Sequence, residues 1–92
     1  MTPAKAGQTF NASASASGKG RFAILFYSYT EKDDNVSVPQ VEYLELTDTP
    51  TVQKFSIPIA NSGKKVVVKV RAVIAIQPRA ELKLTDLKIS VD

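Results

Sequence analysis

Residues Gly7–Tyr29 read GQTFNASASASGKGRFAILFYSY, and the alternation within this stretch decides the fold class. From Gln8 to Ser17, Phe10, Ala12, Ala14 and Ala16 alternate with Thr9, Asn11, Ser13 and Ser15. A period of two sends successive side chains to opposite faces of a strand, so one face is apolar and the other polar. From Arg21 to Thr30 the same period separates Phe22, Ile24, Phe26 and Ser28 from Ala23, Leu25, Tyr27 and Tyr29. Both of those faces are largely apolar, which predicts a central strand. Gly18-Lys19-Gly20 between the two segments is a turn signal, and together they are predicted to form a hairpin.

Strand patterns continue outward from this stretch. Val41 to Thr47 sets Val41, Tyr43 and Glu45 against Glu42, Leu44 and Leu46, and Val52 to Ile59 places Phe55, Ile57 and Ile59 on one face. Lys65 to Gln77 predicts one long strand, with Val66, Val68, Val70, Ala72, Ile74 and Ile76 on one face and Val67, Lys69, Arg71, Val73 and Ala75 on the other. In the last segment, Ala80 to Val91, Leu82 and Leu84 share a face and then the phase slips, so that Leu87, Ile89 and Val91 become the inward set. A bulge at Thr85-Asp86 accounts for the slip. Turns and loops fall at Glu31–Gln40, Asp48-Thr49-Pro50, Ala60–Lys64 and Gln77-Pro78-Arg79. No segment carries helical periodicity. The expectation is an all-β, antiparallel, jelly-roll-like sandwich of about six to eight strands. It forms one domain over residues 1–92, with residues 1–7 as a flexible N-terminal segment.

Composition narrows the chemistry. The 92 residues include no Cys and no His, which removes disulfides, thiolate nucleophiles, imidazole bases and Cys/His metal sites. Carboxylate catalysis fares no better, because Glu42 and Glu45 lie three apart on a strand and point to opposite faces, while Asp33-Asp34 sits in a polar loop. The chain is therefore expected not to be an enzyme. It has no signal-peptide pattern at Met1–Gly7 and no apolar run of about 18 residues, so no membrane role is expected. Two Asn-x-Ser sequons, Asn11-Ala12-Ser13 and Asn35-Val36-Ser37, carry little weight alone.

Charge is divided along the chain. Glu31 to Asp48 is acidic apart from Lys32, whereas Thr49 to Ala80 carries Lys54, Lys64, Lys65, Lys69, Arg71 and Arg79 and no acid. One meaning is a basic surface for an anionic partner such as an acidic polysaccharide. The other is that lysines guard sheet edges and loops. A net charge of +3 with no recognition motif speaks against a nucleic-acid partner. The aromatic residues are the stronger lead. Tyr27, Tyr29 and Tyr43 alternate away from the apolar faces, where exposed rings and hydroxyls can grip sugars, and Lys69 and Arg71 share a strand face as hydrogen-bond or charge partners. The alternative is that these rings complete a second apolar layer.

The order of these segments resembles jelly-roll carbohydrate-binding modules of the family 4 and 9 type, among the galactose-binding-like sandwiches. GQTFNASASASGKGRFAILFYSY is similar to the stretch where one of their strands leads into another ending in aromatic residues. LTDTPTVQKFSIPI (Leu46–Ile59) is similar to their "lTdeWqrysftft" segment, and AELKLTDLKISVD (Ala80–Asp92) to their closing strand. The resemblance implies a non-catalytic accessory module that binds polysaccharide or oligosaccharide, attached to a secreted polysaccharide-active or surface protein and hence extracellular. Tyr27, Tyr29, Tyr43, Lys69 and Arg71 would then be the ligand-binding residues. The chain departs from the family in three places: Val52 stands where the family has Trp, Thr85 replaces the first acid of the closing pair, and the family usually has further strands ahead of the segment that corresponds to Gly7–Tyr29. Of the positions that hold a structural calcium in such modules only Asp86 is matched, so no cofactor is expected. Missing strands would leave open sheet edges, which a copy of the chain or a parent-protein domain could occupy. This supports the competing reading, a structural or assembly module without a sugar site.

Overall fold

A computed structural model of the chain describes residues 1–36 and 38–92. Ser37, the last residue of the second sequon, lies outside the described residues. Among the described residues seven strands form, β1 (Thr2–Pro3), β2 (Thr9–Lys19), β3 (Arg21–Tyr29), β4 (Leu44–Glu45), β5 (Thr51–Pro58), β6 (Lys69–Ile76) and β7 (Glu81–Val91). They make two antiparallel sheets with the orders β1-β6-β3-β4 and β5-β2-β7, and no helix occurs among the described residues. The all-β sandwich expected from the alternation is present.

The core forms where the two central strands face each other. Phe10, Ala12, Ala14 and Ala16 of β2 are buried, as are Phe22, Ile24, Phe26 and Ser28 of β3. Phe10 packs on Phe26 at 5.1 Å between ring centroids, and Phe22 meets Phe55 of β5 edge-on at 5.6 Å. Small alanines on one strand leave room for large rings on the other, which is how two sheets interdigitate at native density. Phe55, Ile57 and Ile59 are buried together, as their spacing predicted.

The predicted β2–β3 hairpin does not form. β2 pairs with β5 and β7, and β3 pairs with β4 and β6, so Gly18-Lys19-Gly20 carries the chain from one sheet to the other. An arch sets the two apolar faces against each other, whereas a hairpin would set them side by side in one sheet. Residues after β4 hold the crossing in place: Gly18 N–H donates to the Thr47 carbonyl at 2.8 Å and Leu46 N–H to the Gly20 carbonyl at 2.8 Å.

Two predicted strands are shorter than expected. The Lys65–Gln77 run becomes β6 only from Lys69, because Ser62 and Lys65 exchange backbone hydrogen bonds around Gly63, which has φ 58°. The Asn61 side chain then accepts from Val67 N–H at 2.9 Å. Val67 and Val70 are both buried, and a spacing of three breaks the strand period between them. The Val41–Thr47 segment pairs only at Leu44–Glu45. The segment nevertheless closes one flank of the sandwich together with the buried Val36: Leu46 is buried, and Val41, Tyr43 and Leu44 pack on the core. The predicted slip in β7 is present: pairing with β2 shifts between Ser13 and Ser15, opposite Thr85–Lys88, and Asp86 there has φ 54°.

The opposite flank is open. β7 is an edge strand, and β6 is covered on its outer side by β1 alone among the described residues, Thr2 and Pro3 pairing opposite Val70 and Lys69, so that β6 is an open edge from Arg71 onward. Residues 1–7, expected to be a flexible lead-in, thus supply β1 and the buried Ala4. Past Val70, the inward face of β6 has no cover: Ile74 is 44% and Ile76 52% exposed. On β7, Leu87 is 44% and Ile89 40% exposed. The wholly apolar face of the segment is therefore buried, within β6, only at Val70.

Candidate functional site

Four of the five residues singled out in the sequence come together on the outer face of the β1-β6-β3-β4 sheet. The β3–β6 register sets Tyr27 opposite Arg71 and Tyr29 opposite Lys69. The Arg71 guanidinium carbon lies 5.8 Å from the Tyr27 ring centroid and 5.9 Å from that of Tyr29, within cation–π range. Both tyrosines are partly buried and Arg71 is exposed. Lys69 pairs with Asp33, whose φ is 66° and which sits in a turn held by the Thr30 hydroxyl; that oxygen accepts from the N–H groups of Lys32 and Asp34. Such an exposed pair contributes at most about 1 kcal/mol. Tyr43 does not join this group. It precedes β4, which pairs with β3 at Arg21 and Phe22, about 17 Å along the strand from Tyr27 at roughly 3.3 Å per residue, and it packs on the core.

Chemically the cluster offers a guanidinium and two phenol hydroxyls. That set suits a hydroxyl-rich or carboxylate-bearing ligand. Because Arg71 already sits near both rings, a sugar would meet the cation and the ring edges before the ring faces.

The basic segment of the sequence does not make one patch. Lys69 and Arg71 lie on the outer face of one sheet, whereas Lys54 lies on the other sheet, where it and Lys88 flank Ser13 in a row across the strands. Beside that row the Asn11 amide donates to Asp92 at 3.0 Å and accepts from the Ser56 hydroxyl at 3.2 Å. Sequence reading missed this row because it depends on which strands are neighbours. A hollow of about 510 Å³ runs there, lined by Asn11, Phe55, Lys88 and Ile89 among others. Asp86, the one matched calcium position, is exposed at the bulge, and among the described residues no three acidic side chains gather as a metal site.

The third feature is the open flank. Ile74 and Ile76 from one sheet and Leu87 and Ile89 from the other point inward without cover, between two unpaired sheet edges. Compared with family models, curated proteins and solved structures, the chain matches none of them.

Proposed function

We propose that this chain is a non-catalytic β-sandwich interaction module that accepts a further polypeptide strand along its open flank. The observation that supports this is the inward-facing yet exposed set Ile74, Ile76, Leu87 and Ile89, between the edge of β7 and the part of β6 past its pairing with β1. Apolar surface gains about 25 cal/mol per Å² on burial, and an added strand also satisfies the idle edge N–H and C=O groups. Main-chain bonds supply affinity, and alternate side chains entering the flank supply selectivity. A synthetic peptide of alternating valine and threonine with lysine ends tests the reading through amide exchange. Slowed exchange at residues 71–76 is expected, and unchanged exchange at millimolar peptide would refute it.

A second reading is favoured by the Tyr27–Arg71–Tyr29 cluster with Lys69, namely a carbohydrate-binding accessory module of a secreted or surface protein. Arg71 would then bind an acidic or hydroxyl-rich saccharide by charge-assisted hydrogen bonds worth about 1.5–3 kcal/mol. Calorimetry with uronic-acid oligosaccharides should show binding that Arg71→Ala weakens by about ten- to a hundredfold, following that energy. Absence of heat with acidic and neutral oligosaccharides alike removes this reading.

A further inference from the structure

We infer that the strand received by the β6 edge is β6 of a second copy of this chain, running antiparallel about a twofold axis through Ile74; this rests on the strand-accepting reading of the open flank. Gln77 N–H donates to the Arg21 carbonyl in β3 at 3.1 Å. Bonding directions alternate along a strand, so the odd residues of β6 bond to β3, while Val70, Ala72, Ile74 and Ile76 aim their N–H and C=O at the outer edge. Val70 is already paired with Thr2. Ala72, Ile74 and Ile76 remain, and the same three carry the uncovered inward side chains.

An axis through Ile74 sets Ile74 against Ile74 and Ala72 against Ile76, and each such pair exchanges two bonds, about six in all. Alternative registers do worse. A shift of two residues one way calls on Val70, which Thr2 occupies; a shift the other way brings up Pro78, which has no N–H to donate. A shift of one residue turns the inward side chains outward. In the favoured register Arg71 falls opposite Gln77 and Val73 opposite Ala75, so no like charges meet from Arg71 to Gln77. The two edges also differ in protection. β7 carries Lys83, Lys88 and the Asp86 bulge, devices that discourage pairing, whereas Ala72–Ile76 has neither charge nor bulge. The contact is isologous, joining β4-β3-β6 of one copy to the same strands of the other.

Sedimentation equilibrium from micromolar to millimolar protein tests the inference. The expected result is a concentration-dependent dimer that is lost in Ile74→Lys, which opposes two cations at the axis, and in Ile74→Pro, which deletes an N–H that the isolated fold does not use. Circular dichroism should show both variants folded. If either fails to fold, exchange at the Ile74 N–H of the parent chain decides, since pairing slows it as concentration rises. A monomer at every concentration, a dimer indifferent to both folded variants, or an Ile74 amide whose exchange ignores concentration would each overturn the pairing. Protection of residues 71–76 by the valine–threonine peptide in a chain that stays monomeric would refute the second copy alone. No protection and no dimer would remove the strand-accepting reading as well.

Discussion

Gly18→Ala is expected to destabilise the fold by about 2–5 kcal/mol, read as a lowered urea midpoint. Gly18 has φ 136°, a conformation that L-residues rarely adopt, which accounts for about 1–2 kcal/mol. A methyl group there would lie 1.9 Å from the Glu81 carbonyl oxygen and 2.9 Å from its carbon. Both are backbone atoms in the β2–β7 ladder, where Gly18 pairs with Leu82 and Lys19 with Glu81. Relieving the overlap means pulling β7 off β2, and such overpacking costs about another 1–3 kcal/mol. Against a total stability of about 5–15 kcal/mol the loss is large. Gly63, at φ 58° with nothing within 4 Å of its would-be methyl, is the control and should lose only the backbone share. Equal midpoints for the two variants would show that the arch between the sheets does not pack as described.

The same glycine marks the limit of what the sequence discloses. Alternation in Gln8–Ser17 separates its apolar, buried face, the two apolar faces of Arg21–Tyr29 mark a strand inside its sheet, and the phase slip in Ala80–Val91 locates the bulge, because all three are local consequences of the pleat. Whether Gly18-Lys19-Gly20 folds back within a sheet or crosses between sheets is not local. It depends on β5 and β7 claiming both edges of β2. Burial along β6 behaves similarly, since Val70 and Ile74 share a face but differ in whether anything lies across from it. The site follows the same division. Alternation puts Tyr27 and Tyr29 on one face, yet their meeting with Arg71 and Lys69 is set by the β3–β6 register, and the separation of Tyr43 by the pairing of β4 with the far end of β3.

An interior that is tight on one side and uncovered on the other distributes its stability unevenly. The segment around β4 seals one flank with Val36, Val41 and Leu46, so openings there must break packed contacts. At the β6–β7 flank little apolar contact is lost when the edges separate. Local opening should therefore be easiest where strand pairing is proposed, and a partner strand would raise stability by mass action, growing with the logarithm of its concentration once above its dissociation constant.

Phe10→Ala should cost about 3–5 kcal/mol, the usual loss for removing a buried ring together with the cavity it leaves. Phe10 is 0% exposed, sits opposite Ile57 and Val91 within its sheet, and packs on Phe26 across the sandwich. Ile74→Ala removes a comparable aliphatic surface from the facing sheet, but Ile74 is 44% exposed, so at protein concentrations too low for pairing the loss should be near 1 kcal/mol. The comparison isolates the open flank from the stability of the fold. If Ile74→Ala in dilute solution matches Phe10→Ala, something already covers β6 in the single chain, and neither a strand partner nor a second copy has a vacant edge to join. If the gap between the two variants is wide when dilute and narrows as protein concentration rises, Ile74 is being buried by association, because a side chain that packs only in the assembly contributes only when the assembly forms.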